Sequence, residues 1–219
     1  MKKKIVALLT AAMMLVSATT VLAAPSVSAG DLSSSKGNVT NAASMTDAQA
    51  EETAKDLAVA KDKVEGAENV TINDVTPVDA ATFKAAAAEA VAAVKAKFGV
   101  DITAAVTGDT KVTAAIVAIM DIKAEITGDK ADITVAVPDV KAGETVIVLH
   151  QKADGTWEQL PVVQVVDGKV VFTATSFSPI AIVKVASTSV KTGVVSVLPV
   201  LAAAGLVGAV VTGKKSKAN

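Results

Sequence analysis

The chain has 219 residues, with 22 acidic and 21 basic side chains, one histidine and no cysteine or arginine. Without cysteine no disulfide can staple it in an oxidising exterior, so packing must hold the fold. Without arginine it lacks the bidentate guanidinium that suits phosphate, and nucleic acid is excluded as a partner.

Lys2, Lys3 and Lys4 precede an apolar run over residues 5–16, and Ala23-Ala24-Pro25-Ser26-Val27-Ser28-Ala29 follows it with small side chains. Such a basic, then apolar, then small-residue order predicts a secretory signal peptide over residues 1–29. Signal peptidase would cut after Ala24 or Ala29, and Val27-Ser28-Ala29 fits its pocket better. Three lysines lie at each end of the chain, so the body between them carries a net charge of about −7.

Residues 30–45 are rich in Ser, Gly and Asn without apolar periodicity, which predicts a linker. Thr46-Asp47-Ala48-Gln49 is a capping box, and Ala50, Ala54, Leu57, Ala58 and Val64 continue one apolar stripe to an exit at Gly66. Val70 and Ile72 alternate with polar residues in a short strand over 69–75. Pro77 and Asp79 then open a second helix, whose Phe83, Ala87, Ala90, Val91, Val94 and Phe98 recur every three to four residues before Gly99. Residues 46–110 are therefore expected as a helix, strand and helix.

From residue 111 the period changes to two. Val112, Ala114, Ile116, Ala118, Met120, Ile122, Ala124 and Ile126 are expected on one side of an extended segment, with Lys111, Thr113, Asp121, Lys123 and Glu125 on the other. Ala115, Val117 and Ile119 are apolar as well, which predicts cover on both faces, with the second helix over one of them. More strands are expected over 133–137, 145–150, 162–166, 170–175 and 180–185, with Gly128-Asp129, Asp154-Gly155 and Asp167-Gly168 between them as turns. Helices in a block before an antiparallel β module (111–186) give an α+β fold with a sandwich-like β part.

The closing stretch sets the location. Residues 194–211 carry no charge, and as a helix they span about 27 Å, near the thickness of a bilayer core. Lys214, Lys215 and Lys217 follow, and lysines beside a spanning segment stay cytoplasmic. Residues 194–219 are expected as a transmembrane helix with a basic tail, the membrane being one partner.

Residues 133–185 contain Val137-Pro138, His150, Asp154-Gly155, Leu160-Pro161-Val162, Asp167-Gly168 and Phe177-Ser178 in order. This series resembles a β-rich module of Gram-positive (Firmicutes-type) surface proteins, which implies an immunoglobulin-like sandwich or a similar small β fold. Within residues 187–193, Ser189-Val190-Lys191-Thr192-Gly193 resembles a Leu-Pro-x-Thr-Gly cell-wall sorting signal, with Ser in place of Leu and Val in place of Pro. The resemblance implies that a sortase thiol attacks between Thr192 and Gly193 and passes the protein to peptidoglycan. Val190 lacks the fixed φ that the family's proline supplies.

No constellation for catalysis emerges. His150 is the one histidine, which excludes a multi-histidine metal site, and its strand parity with Val146 and Val148 marks it as a packed or strand-end residue. Asp129, Asp132 and Asp139 could form a loose oxygen site for Ca²⁺, but lack the twelve-residue loop pattern, so a solvated acidic edge is expected. Trp157 reads as a core or rim residue before it reads as a platform for a sugar. Asn38-Val39-Thr40 and Asn69-Val70-Thr71 match a glycosylation pattern too short to carry weight. The expectation is an anchored surface protein without catalytic, metal or cofactor residues, its role presentation, spacing or adhesion toward an extracellular partner. A ligand- or glycan-binding module is the alternative.

Overall fold

The computed structural model describes residues 32–103 and 110–189. The expected signal peptide and transmembrane run lie outside them, and among the described residues no helix is long and apolar enough to cross a membrane. The elements in chain order are α1 (Val39–Ala42), α2 (Asp47–Asp56), a 3₁₀ turn (Lys61–Lys63), β1 (Val64–Gly66), β2 (Val70–Thr76), α3 (Ala80–Phe98) and β3 (Thr110–Ile126). After these come β4 (Ala131–Ala136), β5 (Thr145–Gln151), β6 (Trp157–Leu160), β7 (Val162–Val166), β8 (Lys169–Ala174) and β9 (Pro179–Ser189).

All strand pairs are antiparallel, and the strands form two sheets, β1-β4-β8-β7 and β2-β3-β9-β5-β6. One core lies between the sheets, built on Met120, Ile122, Ile133, Val148, Phe172 and Ile182 among others. A second lies on the other face of the five-stranded sheet, where Phe83, Ala87, Ala90 and Val94 of α3 pack over Ile119, Leu149 and Val183. The expected α+β, β-rich and sandwich-like fold is therefore present, with the helices as a third layer.

Local chemistry sets the helix ends as the sequence indicates. Thr46 Oγ1 accepts from the Gln49 N–H, and the Gln49 side chain accepts from the Thr46 N–H at 2.9 Å, so the capping box forms. The Asp79 carboxylate accepts from the Thr82 N–H at 2.8 Å to start α3, and Gly99 ends it in the left-handed region at φ 69°.

Three expectations need correction. Residues 30–45 include structure: Leu32, Val39 and Ala42 are buried, α1 is capped by the Asn38 side chain, and the Gly37 carbonyl accepts from the Ile116 N–H at 2.8 Å. This segment covers the flank of β3 that β2, paired only from Asp121 onward, leaves open. The first helix stops at Asp56 and does not reach Gly66, because the Leu57 carbonyl accepts from the Ile119 N–H and Val64 enters β1 against Val135. The single-sided stripe along residues 112–126 is also broken. Ile116 pairs with Val183 and Ala118 with Ile182, leaving Val117 as a bulge that reverses the faces. Val112, Ala114 and Ile116 therefore face the helices, while Ala118, Met120 and Ile122 face the other sheet.

Sequence neighbours form both flanks of the sandwich. β1 ends one sheet and β2 begins the other across residues 67–69, and β6 and β7 do the same across Pro161. Both larger corner strands carry a register shift, at Asn73 and at Val163. Bulges of this kind twist an edge away from pairing with another chain.

Candidate functional site

The densest polar arrangement in the described body surrounds His150 near the end of β5. Its even-numbered parity points it with Val146 and Val148 into the space between the sheets, where it is 1 % exposed. Nδ1 lies 3.0 Å from Oε1 of Glu158, its neighbour across the β5–β6 pair. Nε2 lies 2.8 Å from Oγ of Ser178, which comes from the connection between β8 and β9. The order serine, histidine, carboxylate is that of an acyl-transfer triad.

The bonding of the serine argues for a different use. Ser178 donates its single hydroxyl proton to the Gln151 carbonyl, so Oγ acts as an acceptor toward the imidazole and has no proton to pass to it. Pro179 follows directly, and proline brings no N–H to an oxyanion site. The cluster ties β5, β6 and the start of β9 together at one end of the inter-sheet core.

A second polar pair was not anticipated from sequence. Lys184, the one charged residue of β9, and Glu144, just before β5, meet at 2.9 Å with side chains 6 % and 8 % exposed. Lys184 Nζ also donates to the Asp139 carbonyl, and Glu144 Oε2 accepts from the Lys141 N–H at 2.8 Å. Glu144 Oε1 is buried without a hydrogen-bond partner. The signal was present: a lysine among Ile180, Ile182, Val183 and Val185 has to find an anion or a carbonyl when its strand is buried.

The remaining candidates are not brought together. Asp129 and Asp132 lie at the start of β4 and Asp139 beyond its end, Asp132 accepting from the Thr173 hydroxyl at 2.6 Å. Among the described residues no group of three potential metal ligands exists. Trp157 is half-buried against the helix-side core with its Nε1 unpartnered, so its ring is not an open platform. The Asn38 and Asn69 side-chain amides donate to Leu32 and to Thr127 and Lys130. Ser189 closes β9, whereas Val190, Lys191, Thr192 and Gly193, with Lys214, Lys215 and Lys217, lie outside the described residues.

A groove of about 520 Å³ runs between α3 and the sheet, with Ala92, Ala93, Ala96 and Leu149 as its apolar lining and Glu89, Lys97 and Gln159 as its polar groups. Carboxylates with depressed pKa values sit elsewhere, at turns and caps. The Thr103 hydroxyl and Lys95 hold Asp101 down to about 2, and the Thr156 hydroxyl and N–H lower Asp154. No family model, curated protein or solved structure matches the chain.

Proposed function

We propose that the chain is an exported surface protein of the Gram-positive type, held at the membrane or wall by its C-terminal run, whose body serves presentation, spacing or adhesion without catalysing a reaction. The observation that carries the reading is the course of the last strand. β9 lies between β3 and β5, pairs with both, and ends at Ser189, five positions before the charge-free run begins at residue 194. A strand fixed on both sides transmits a pull on the tail to the whole sheet. In this reading signal peptidase removes residues 1–29 and Lys214, Lys215 and Lys217 stop export. In the wall-linked version a sortase then acts on Ser189-Val190-Lys191-Thr192-Gly193 and joins the protein to peptidoglycan; in the membrane-anchored version the tail stays attached. The hydrogen bonds that occupy Ser178 support a structural use of His150, and the burial of Trp157 weighs against a glycan-binding module.

Cell fractionation tests this. Truncation after Thr192 is expected to release the protein into the medium, since the run at 194–211 supplies the anchor. Thr192→Ala is expected to move a wall-linked protein into the membrane fraction, and an unchanged distribution would show membrane anchoring alone. Recovery of intact protein from the medium, tail attached, would overturn both versions.

A further inference from the structure

The described chain comes into the fold and leaves it at the same end. Leu32, its first residue, is 5 % exposed and packs with Ala115 of β3 and Ala186 of β9. Thr110 at the start of β3 pairs with Ser189 at the end of β9. The opposite end is equally well defined. Ile126 pairs there with Val70, the Asn69 side chain spans Thr127 and Lys130, and Gln151 pairs with Trp157 across the β5–β6 turn. β3, 17 residues long, separates the two ends by about 50 Å.

Resting on the membrane-anchored version of the reading above, we infer that the sandwich stands on end. The end where β3 starts and β9 closes faces the lipid headgroups, and the turns at 67–69, 127–130 and 152–156 form the surface offered outward. From Ser189 to residue 194 the chain can reach at most about 18 Å, so the lower end cannot stand further than that from the bilayer surface. Any chain preceding Leu32 joins at the lower end as well. A bead that spaces two partners along a line needs its connections at opposite ends, so the role narrows from spacing to presentation of the outward turns. Those turns carry both signs of charge, in Glu68, Asp129, Lys130, Lys152 and Asp154, all exposed.

The absence of cysteine makes the test direct. Ser187→Cys, exposed near the close of β9, and Asp129→Cys, exposed in the outward turn, are each introduced into the full chain carrying Thr192→Ala, which keeps it out of the wall, and expressed in a Gram-positive host. Both are labelled with the same donor dye on protoplasts carrying a lipid-tethered energy acceptor. Transfer from position 187 is expected to exceed that from position 129 several-fold. Equal or reversed transfer in membrane-bound protein would overturn the orientation while leaving anchoring intact. Protein found only in the medium would overturn the anchored reading, and the orientation with it.

Discussion

His150 combines near-complete burial with two polar side-chain neighbours, and that combination decides what replacing it does. A buried polar group removed from a network strands its partners, at about 1–3 kcal/mol. His150→Gln is expected to lower stability in urea unfolding by about that amount, because an amide cannot reach Glu158 and Ser178 in the imidazole's geometry. A fluorophosphonate probe is expected to leave Ser178 unlabelled in the native protein, since its hydroxyl proton is engaged by the Gln151 carbonyl. Labelling of Ser178 that is lost in His150→Gln would make the cluster catalytic. Lys184 and Glu144 work in the same register: the pair costs desolvation, and its return is the attachment of the 139–144 loop to β9. In the sequence His150 was legible as a packed residue from its parity with Val146 and Val148. Its partners were not, because Glu158 lies eight positions away and Ser178 twenty-eight, and only the strand pairing joins them.

Elements with a single buried face announced themselves. The stripe of α3 follows from Phe83, Ala87, Ala90 and Val94, and the caps at Thr46, Asp79 and Gly99 mark helix ends by their own hydrogen-bonding chemistry. β3 showed its extended course and its cover on both faces but not its change of face, for a physical reason. Its middle is covered on both sides, so Ala115, Val117 and Ile119 are as apolar as their neighbours, and an uninterrupted apolar run has no phase from which a bulge can be read. β6 was missed because four residues between a turn and Pro161 are too few to show a period. The bulge also yields a test. Deleting Val117 would make the Ile116–Val183 and Ala118–Ile182 pairs consecutive, so both halves of β3 keep their register and their layers and only the bulge is lost. That variant is expected to keep cooperative thermal unfolding and to lose some stability, because the Gly37 and Leu57 carbonyls that accept from Ile116 and Ile119 are drawn together. Deletion of Val163, the unpaired residue of edge strand β7, is expected to keep a cooperative transition and cost no more than about 2 kcal/mol. Loss of the cooperative transition on deleting Val117 would show that the bulge itself, and not the register on either side of it, holds the layers together.

At the scale of the molecule, the body joins an acidic composition to a core that needs no covalent staple, and this gives its stability a definite pH profile. Asp79, Asp101 and Asp154 accept hydrogen bonds from the residue two or three positions onward, which stabilises the charged carboxylate. Thr82 lowers Asp79 through its N–H, Thr103 lowers Asp101 chiefly through its hydroxyl, and Thr156 lowers Asp154 in the same way. In the unfolded chain these groups return to 3.8, the ordinary value, whereas Asp101 in the folded body titrates at about 2. The unfolded state therefore binds protons first as pH falls. The stabilising effect of these three groups is complete above about pH 5 and is lost progressively as pH drops through 4 toward 2. Because Asp101 and Asp154 are open to solvent, each contributes little alone, and the acid loss is expected to be a slope and not a step. Thermal midpoints measured from pH 6 to pH 2 should hold level to about pH 5 and then decline, and Asp79→Asn, which can still cap α3 but cannot titrate, should flatten part of the decline. A midpoint that rises as the solution is acidified would show that repulsion among the excess carboxylates outweighs these local bonds and sets the direction of the pH profile.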